Sequence, residues 1–186
     1  MKEYLNELIG AIGRFPRDEI RRLAQRAVYS STVYIAGNGG SAATANHFAV
    51  DLMKSAQVRA VSLCANPALI TALGNDIGFA YVFSEMARYH GMGSDDTLVI
   101  ISVSGDSIDL VNLAKECRRP KETLRGDDPY PGTIASLLGR SGRGLLAPLS
   151  DTVVAIESDD YGVCEDMHSI CCHLIAREAE AIRAQQ

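Results

Sequence analysis

The chain lacks several features that would assign it to a class at once. No stretch approaches the roughly 18 uninterrupted apolar residues of a membrane span, so no membrane contact is expected. The first 20 residues carry acids and have no apolar centre followed by a cleavage site, which argues against a secretory leader. Basic residues are not in excess. Lys and Arg number 18 against 23 Asp and Glu, a formal charge of -5, whereas a protein that coats nucleic acid needs the opposite balance. The five cysteines (Cys64, Cys117, Cys164, Cys171 and Cys172) are odd in number and show no C-x-x-C spacing. They read as reduced thiols filling the core of a cytoplasmic protein.

What is present has the balance of a globular protein. Hydrophobic residues make up 47% and charged residues 22% of 186 residues, enough for one domain with a sizeable core. Residues 1–29 read as two helices interrupted at Pro16, with Leu5, Leu8, Ile9 and Ile12 at helical spacing. Such an arm needs a surface to cover, its own core or a neighbouring subunit. Short β-branched or apolar runs follow at 31–36, 59–64, 97–102, 133–138 and 152–156, and helical patterns separate them. The helices are expected to about residue 54, at 67–73, at 79–90, from about 107 to 117, briefly at 143–148 and from about 163 to 184. Residues 118–132 are charged and rich in Pro and Gly, and read as a long loop. Strands alternating with helices predict an α/β fold with a parallel sheet covered on both faces.

Two strand-to-helix turns are built from small and hydroxyl residues: Gly37-Asn38-Gly39-Gly40-Ser41 and Ser102-Val103-Ser104-Gly105-Asp106-Ser107. In an open parallel sheet, ligands sit beyond the carboxyl ends of the strands, where both turns fall. Glycines permit tight paths, and Ser hydroxyls with helix N–H groups suit an anion. Neither a P-loop Lys nor G-x-G-x-x-G occurs, so nucleoside triphosphate and dinucleotide binding lose ground. Either turn alone is equally an ordinary capped βα turn; the two together point to a phosphate monoester.

His47 and Asp51 are spaced i, i+4 on one helix face and could chelate a divalent ion such as zinc. A buried His beside a solvent-facing Asp explains the same spacing. Glu165 and His173 lie eight residues, about 12 Å of helix rise, apart. Asp159, Asp160 and Asp166 are explained by capping and the helix dipole. Asn75 and Asp76 sit in an expected turn before Phe79, and Glu85, Arg88 and Arg140 read as solvated or subunit-facing.

With these residues in view, the chain resembles the sugar isomerase (SIS) domain family, and within it the phosphoheptose isomerase branch. The carriers are GNGGSAATANHFAVDL at 37–52, ALGNDIGF at 72–79, ISVSGDS at 101–107 and SDDYGVCEDMHSICCHLI at 158–175. The resemblance implies a three-layer α/β/α sandwich on a five-stranded parallel sheet, flavodoxin-like, with the N-terminal arm serving a homotetramer. It implies conversion of sedoheptulose 7-phosphate to D-glycero-D-manno-heptose 7-phosphate through an enediol, with one zinc ion per subunit as cofactor. By the same resemblance Asn38, Gly39, Gly40, Ser41, Asn75, Asp76, Ser102, Ser104, Ser107 and Glu165 contact substrate. Asp51 and His173 act as acid and base, and His47, Asp51, Glu165 and His173 are metal ligands. Asp51 stands where that branch often carries Glu, Glu165 where it often carries Gln, and Val103 where Thr is common. A non-catalytic adaptor like the DnaA initiator-associating protein shares the fold, as do isomerases of other sugar phosphates. The presence of both His47 and His173 favours the enzyme.

Overall fold

The computed structural model of the chain describes residues 1–119, 123 and 132–186. Among these residues, seven α-helices and five strands follow one another as α1 (Lys2–Gly13), α2 (Arg17–Tyr29), β1 (Val33–Gly37), α3 (Gly40–Lys54), β2 (Ala60–Ser62), α4 (Pro67–Asp76), α5 (Val82–Tyr89), β3 (Thr97–Ser102), α6 (Ile108–Cys117), β4 (Thr133–Leu138), β5 (Thr152–Ala155) and α7 (Tyr161–Arg183). The strands form one parallel sheet in the order β2-β1-β3-β4-β5.

The strands are mostly apolar because both faces are covered, and alternate side chains enter different cores. Val33, Ile35, Val99, Ile101, Ala135 and Leu137 point to one side, where α2, α3 and α7 contribute Leu23, Phe48, Leu52, Met167 and Ile175. Tyr34, Ala36, Leu98, Ile100, Ile134 and Leu138 point to the other, against Val82, Phe83, Met86, Leu110 and Leu113 of α5 and α6. Each large side chain so buried contributes about 1.5–3 kcal/mol. The result is the three-layer sandwich expected.

Of the N-terminal arm, α2 belongs to the subunit's own core: Ile20, Leu23, Ala24, Ala27 and Val28 are buried. The first helix is tied to α7 by the Tyr4 hydroxyl, which donates to Asp166 Oδ2 at 2.7 Å. It still turns Leu5, Ile9 and Ile12 outward, about half exposed or more.

Two local expectations need correction. Residues 143–148 are not one short helix; one 3-10 turn, Arg140–Gly142, precedes them and a second, Ala147–Leu149, takes in only their end. Arg140 and Ser141 there have φ of 50° and 59°, a left-handed path that no helical pattern encodes. Asn75 and Asp76 lie in the last turn of α4 rather than in a loop. That helix starts firmly, with Asn66 Oδ1 accepting from Leu69 N–H at 3.0 Å and Pro67 in its first turn, and Gly74 does not stop it. Most of the 118–132 loop, residues 120–122 and 124–131, falls outside the described residues.

Candidate active site

The strand order reverses direction between β1 and β3, so the two turns that leave these strands flank the switch point of the sheet. After β1 the chain passes through Gly39 at φ 55°, a left-handed conformation suited to glycine, and enters α3. After β3 it passes through Gly105 at φ 72°, where an added Cβ would also lie 2.7 Å from the Arg143 carbonyl oxygen. Between the turns lies a cavity of about 130 Å³, lined by Asn38, Ser41, Ser102, Ser104, Ser107 and Glu165 among others. Ser102 Oγ accepts from Gly105 N–H at 3.1 Å, and Ser104 Oγ accepts from Asp106 N–H at 3.2 Å. A hydroxyl that already accepts keeps its hydrogen to give. The second turn is therefore set to donate to an anion. Among the described residues no Lys or Arg lines the cavity.

From this pocket a row of contacts descends between α3 and α7, which lie side by side and run in the same direction. Gly40 faces Glu165, so closely that a Cβ on Gly40 would lie 2.5 Å from Glu165 Oε1. One turn on, Thr44 Oγ1 and Ser169 Oγ are 3.3 Å apart. In the following turn His47 Nε2 and His173 Nε2 meet at 3.1 Å, their rings nearly perpendicular. Asp51, one turn beyond His47, places Oδ2 at 3.5 Å from His47 Nε2 and 3.7 Å from His173 Nε2. The imidazoles are open to solvent, 60% and 50% exposed, while Asp51 is 24% exposed. A buried His beside a solvent-facing Asp is the reverse of what is found. A second cavity, of about 290 Å³, opens beside Asp51, Ser55, His173 and Arg177.

These three side chains fit a divalent ion. Ligand atoms at the zinc distances of about 2.0–2.1 Å in a tetrahedron stand about 3.3–3.4 Å apart, and the observed edges of 3.1, 3.5 and 3.7 Å bracket that value. Three protein ligands with a fourth position open is the arrangement of catalytic rather than structural sites. Among the described residues the group is His47, Asp51 and His173. The structure does not bring Glu165 to it. Two turns of α7 separate Glu165 from His173, and its carboxylate lines the serine pocket instead.

Asn75 and Asp76 stand apart from both cavities. They are exposed at the end of α4, where Asn75 Nδ2 donates to Asp76 Oδ1 at 3.0 Å. Asp160 is the N-cap of α7, accepting from Val163 N–H at 3.0 Å, and Asp159 pairs with Arg143 at 3.4 Å. Glu85 and Arg88 pair with each other on α5. One residue behind the pocket escaped sequence reasoning. Asp109 is buried in the first turn of α6 and accepts from Asn38 Nδ2 at 2.8 Å. In the sequence it is indistinguishable from an acid placed for the helix dipole.

Residues 17–122 match the model of the SIS domain family. The phosphoheptose isomerase of Helicobacter pylori (strain P12) is 30% identical over 179 residues, covering 94% of this chain and 87% of that protein. The phosphoheptose isomerase of Mycobacterium tuberculosis (strain ATCC 25177 / H37Ra) is 30% identical over 193 residues, covering 96% and 92%. Among solved structures, phosphoheptose isomerase GmhA from Neisseria gonorrhoeae superposes with a TM-score of 0.78 at 26% identity, covering 95% of this chain and 93% of that one. A phosphoheptose isomerase from Francisella tularensis gives 0.81 at 24% identity, covering 97% and 94%, a likeness of fold.

Proposed function

The chain belongs to the SIS domain family, and we propose that it isomerises sedoheptulose 7-phosphate to D-glycero-D-manno-heptose 7-phosphate. One observation carries the reading: a pocket of outward-donating serines opens at the head of α3 and α7, the pair of helices that holds the His–Asp–His group further along. The first suits a phosphate and the second suits proton transfer at a carbonyl. Curated phosphoheptose isomerases that match nearly the whole chain support the substrate. A non-catalytic adaptor would have no use for three converging ionisable side chains.

Ketose–aldose isomerisation moves a proton between adjacent carbons, and its acid and base must reach both. Ser102, Ser104 and Ser107 hold the phosphate, with Ser41 and the backbone of Gly39 and Gly40 at the head of α3. Asn75 and Asp76, exposed on α4, are assigned to substrate by the family pattern alone. Asp51 turns Oδ2 to the imidazoles. Its Oδ1 has no hydrogen-bond partner among the described residues and takes the proton from the carbon beside the carbonyl, returning it to the neighbour. His173 Nε2 faces His47 and Asp51, so its other nitrogen, Nδ1, exchanges the proton between the two substrate oxygens, giving it to one and taking one back from the other. Zinc, one ion per subunit, would be held by His47, Asp51 and His173, and when bound supplies Lewis-acid polarisation of the carbonyl in place of the imidazole proton. Glu165 faces substrate from the serine pocket.

The outward apolar face of α1 supports a homotetramer of single-domain subunits in which this helix is the assembly arm. Five free cysteines support a cytoplasmic location.

The test is turnover of sedoheptulose 7-phosphate by purified protein, followed by NMR of the anomeric proton, as isolated, after chelation and with zinc restored. Aldoheptose 7-phosphate that disappears on chelation and returns with zinc is expected. A folded protein that forms no product under any of these conditions would sink the reading.

A further inference from the structure

We propose that Asp109 is a positioning residue that locks the Asn38 amide so that the serine pocket reads a substrate hydroxyl beside the phosphate. The inference rests on the isomerase reading above and adds a determinant of specificity to it.

Asp109 is 3% exposed, in the first turn of α6 directly behind the serine turn. Asn38 follows β1 and lines the pocket. The only side-chain hydrogen bond of Asn38 among the described residues runs from Nδ2 to Asp109 Oδ2, at 2.8 Å. A carboxylate only accepts, so it fixes which end of the amide it meets. The NH₂ is committed to Asp109, and Oδ1, which has no hydrogen-bond partner among the described residues, is left for the pocket. A phosphate dianion offers acceptors alone and gains nothing from that oxygen. The group that Asn38 Oδ1 recognises must therefore be a donor, which on a sugar phosphate is a hydroxyl. The pocket thus has two kinds of wall. The hydroxyls of Ser102 and Ser104, held by the backbone N–H groups of Gly105 and Asp106, give hydrogens to the anion. Asn38, held by Asp109, accepts one from the sugar. Without the carboxylate the amide is free to turn its NH₂ inward, towards the anion, and the distinction is lost.

The experiment compares wild type, Asp109→Leu and Asp109→Asn, with sulfate as a competitive probe. Sulfate carries no proton at neutral pH and reads the serine wall alone. Asp109→Leu is expected to raise KM for sedoheptulose 7-phosphate at least tenfold with kcat within threefold, the pattern of lost uniform binding. The sulfate inhibition constant stays within twofold. Asp109→Asn keeps an oxygen for Asn38 and brings KM back to within threefold of wild type. An unchanged KM in Asp109→Leu, or KM and the sulfate constant rising together, overturns the proposal. If Asp109→Leu does not fold, Asp109→Ala takes its place with the same criteria. Wild type that binds sulfate but forms no product refutes the isomerase reading instead. Calorimetric affinities for the sugar phosphate and for sulfate then decide the role of Asp109.

Discussion

His168 gives the fold a dependence on pH whose size follows from its surroundings. It lies on α7, is fully buried, and neither ring nitrogen finds a partner with hydrogen-bonding geometry among the described residues. Burial pushes its imidazole from 6.5 down to about 4, and the Leu138 backbone opposes this only in part. Cys164, Cys171 and Cys172, on the same helix, have thiols that burial pushes up, so they stay neutral and do not offset the effect. The folded-state pKa lies below the unfolded one. Between pH 6.5 and 4 the unfolded chain therefore binds more protons, and stability falls as pH falls through that window. The whole shift amounts to about 3 kcal/mol, of which about 2 kcal/mol is lost by pH 5. Urea unfolding at pH 7 and pH 5, followed by far-UV circular dichroism at one protein concentration, measures it. His168→Leu removes both unpaired nitrogens and is expected within about 1 kcal/mol of wild type at pH 7. Between the two pH values it should lose about 2 kcal/mol less than wild type. Equal losses in the two proteins, or a His168 resonance titrating near 6.5, would refute the reasoning.

Asp51→Ala and His173→Ala should each lower kcat by about 10²–10⁴-fold while the far-UV spectrum is kept; turnover near the wild-type rate in both would discard them as the acid–base pair. Asp160→Ala removes the bond to Val163 N–H at the head of α7 and should cost about 1 kcal/mol in urea unfolding. Asp160→Asn keeps an acceptor there and should cost much less, and equal losses in the two variants would show that capping is not what Asp160 contributes.

The central strands were legible in the sequence because they are buried on both faces. The expected bounds 97–102 and 133–138 are those of β3 and β4. The edge strand β2 and the turns were less so. That strand shortens to Ala60–Ser62, where Val61 and Ser62 are only partly buried, and the left-handed Arg140 and Ser141 leave no periodic trace. For the site, spacing alone put His47 and Asp51 on one helix face, but the meeting of His47 with His173 depends on how α3 packs against α7, across 126 residues of chain. The same packing separates Glu165 from that group. Asp109 stayed hidden for a related reason: its meaning lies in Asn38, 71 residues away, and not in its own neighbours.

The row of contacts between α3 and α7 has a consequence for how such a site can change. Because the two helices advance together, the distance between anion and carbonyl is counted in helical turns, like marks on a ruler. Moving the His–Asp–His set by one turn on both helices would shift the reacting end by about 5.4 Å and leave the serine pocket untouched. A scaffold of this kind can be refitted to a shorter sugar by paired substitutions at Thr44 and Ser169, the mark that lies midway. Substrate length and phosphate recognition are then inherited separately, on one unbroken pair of helices.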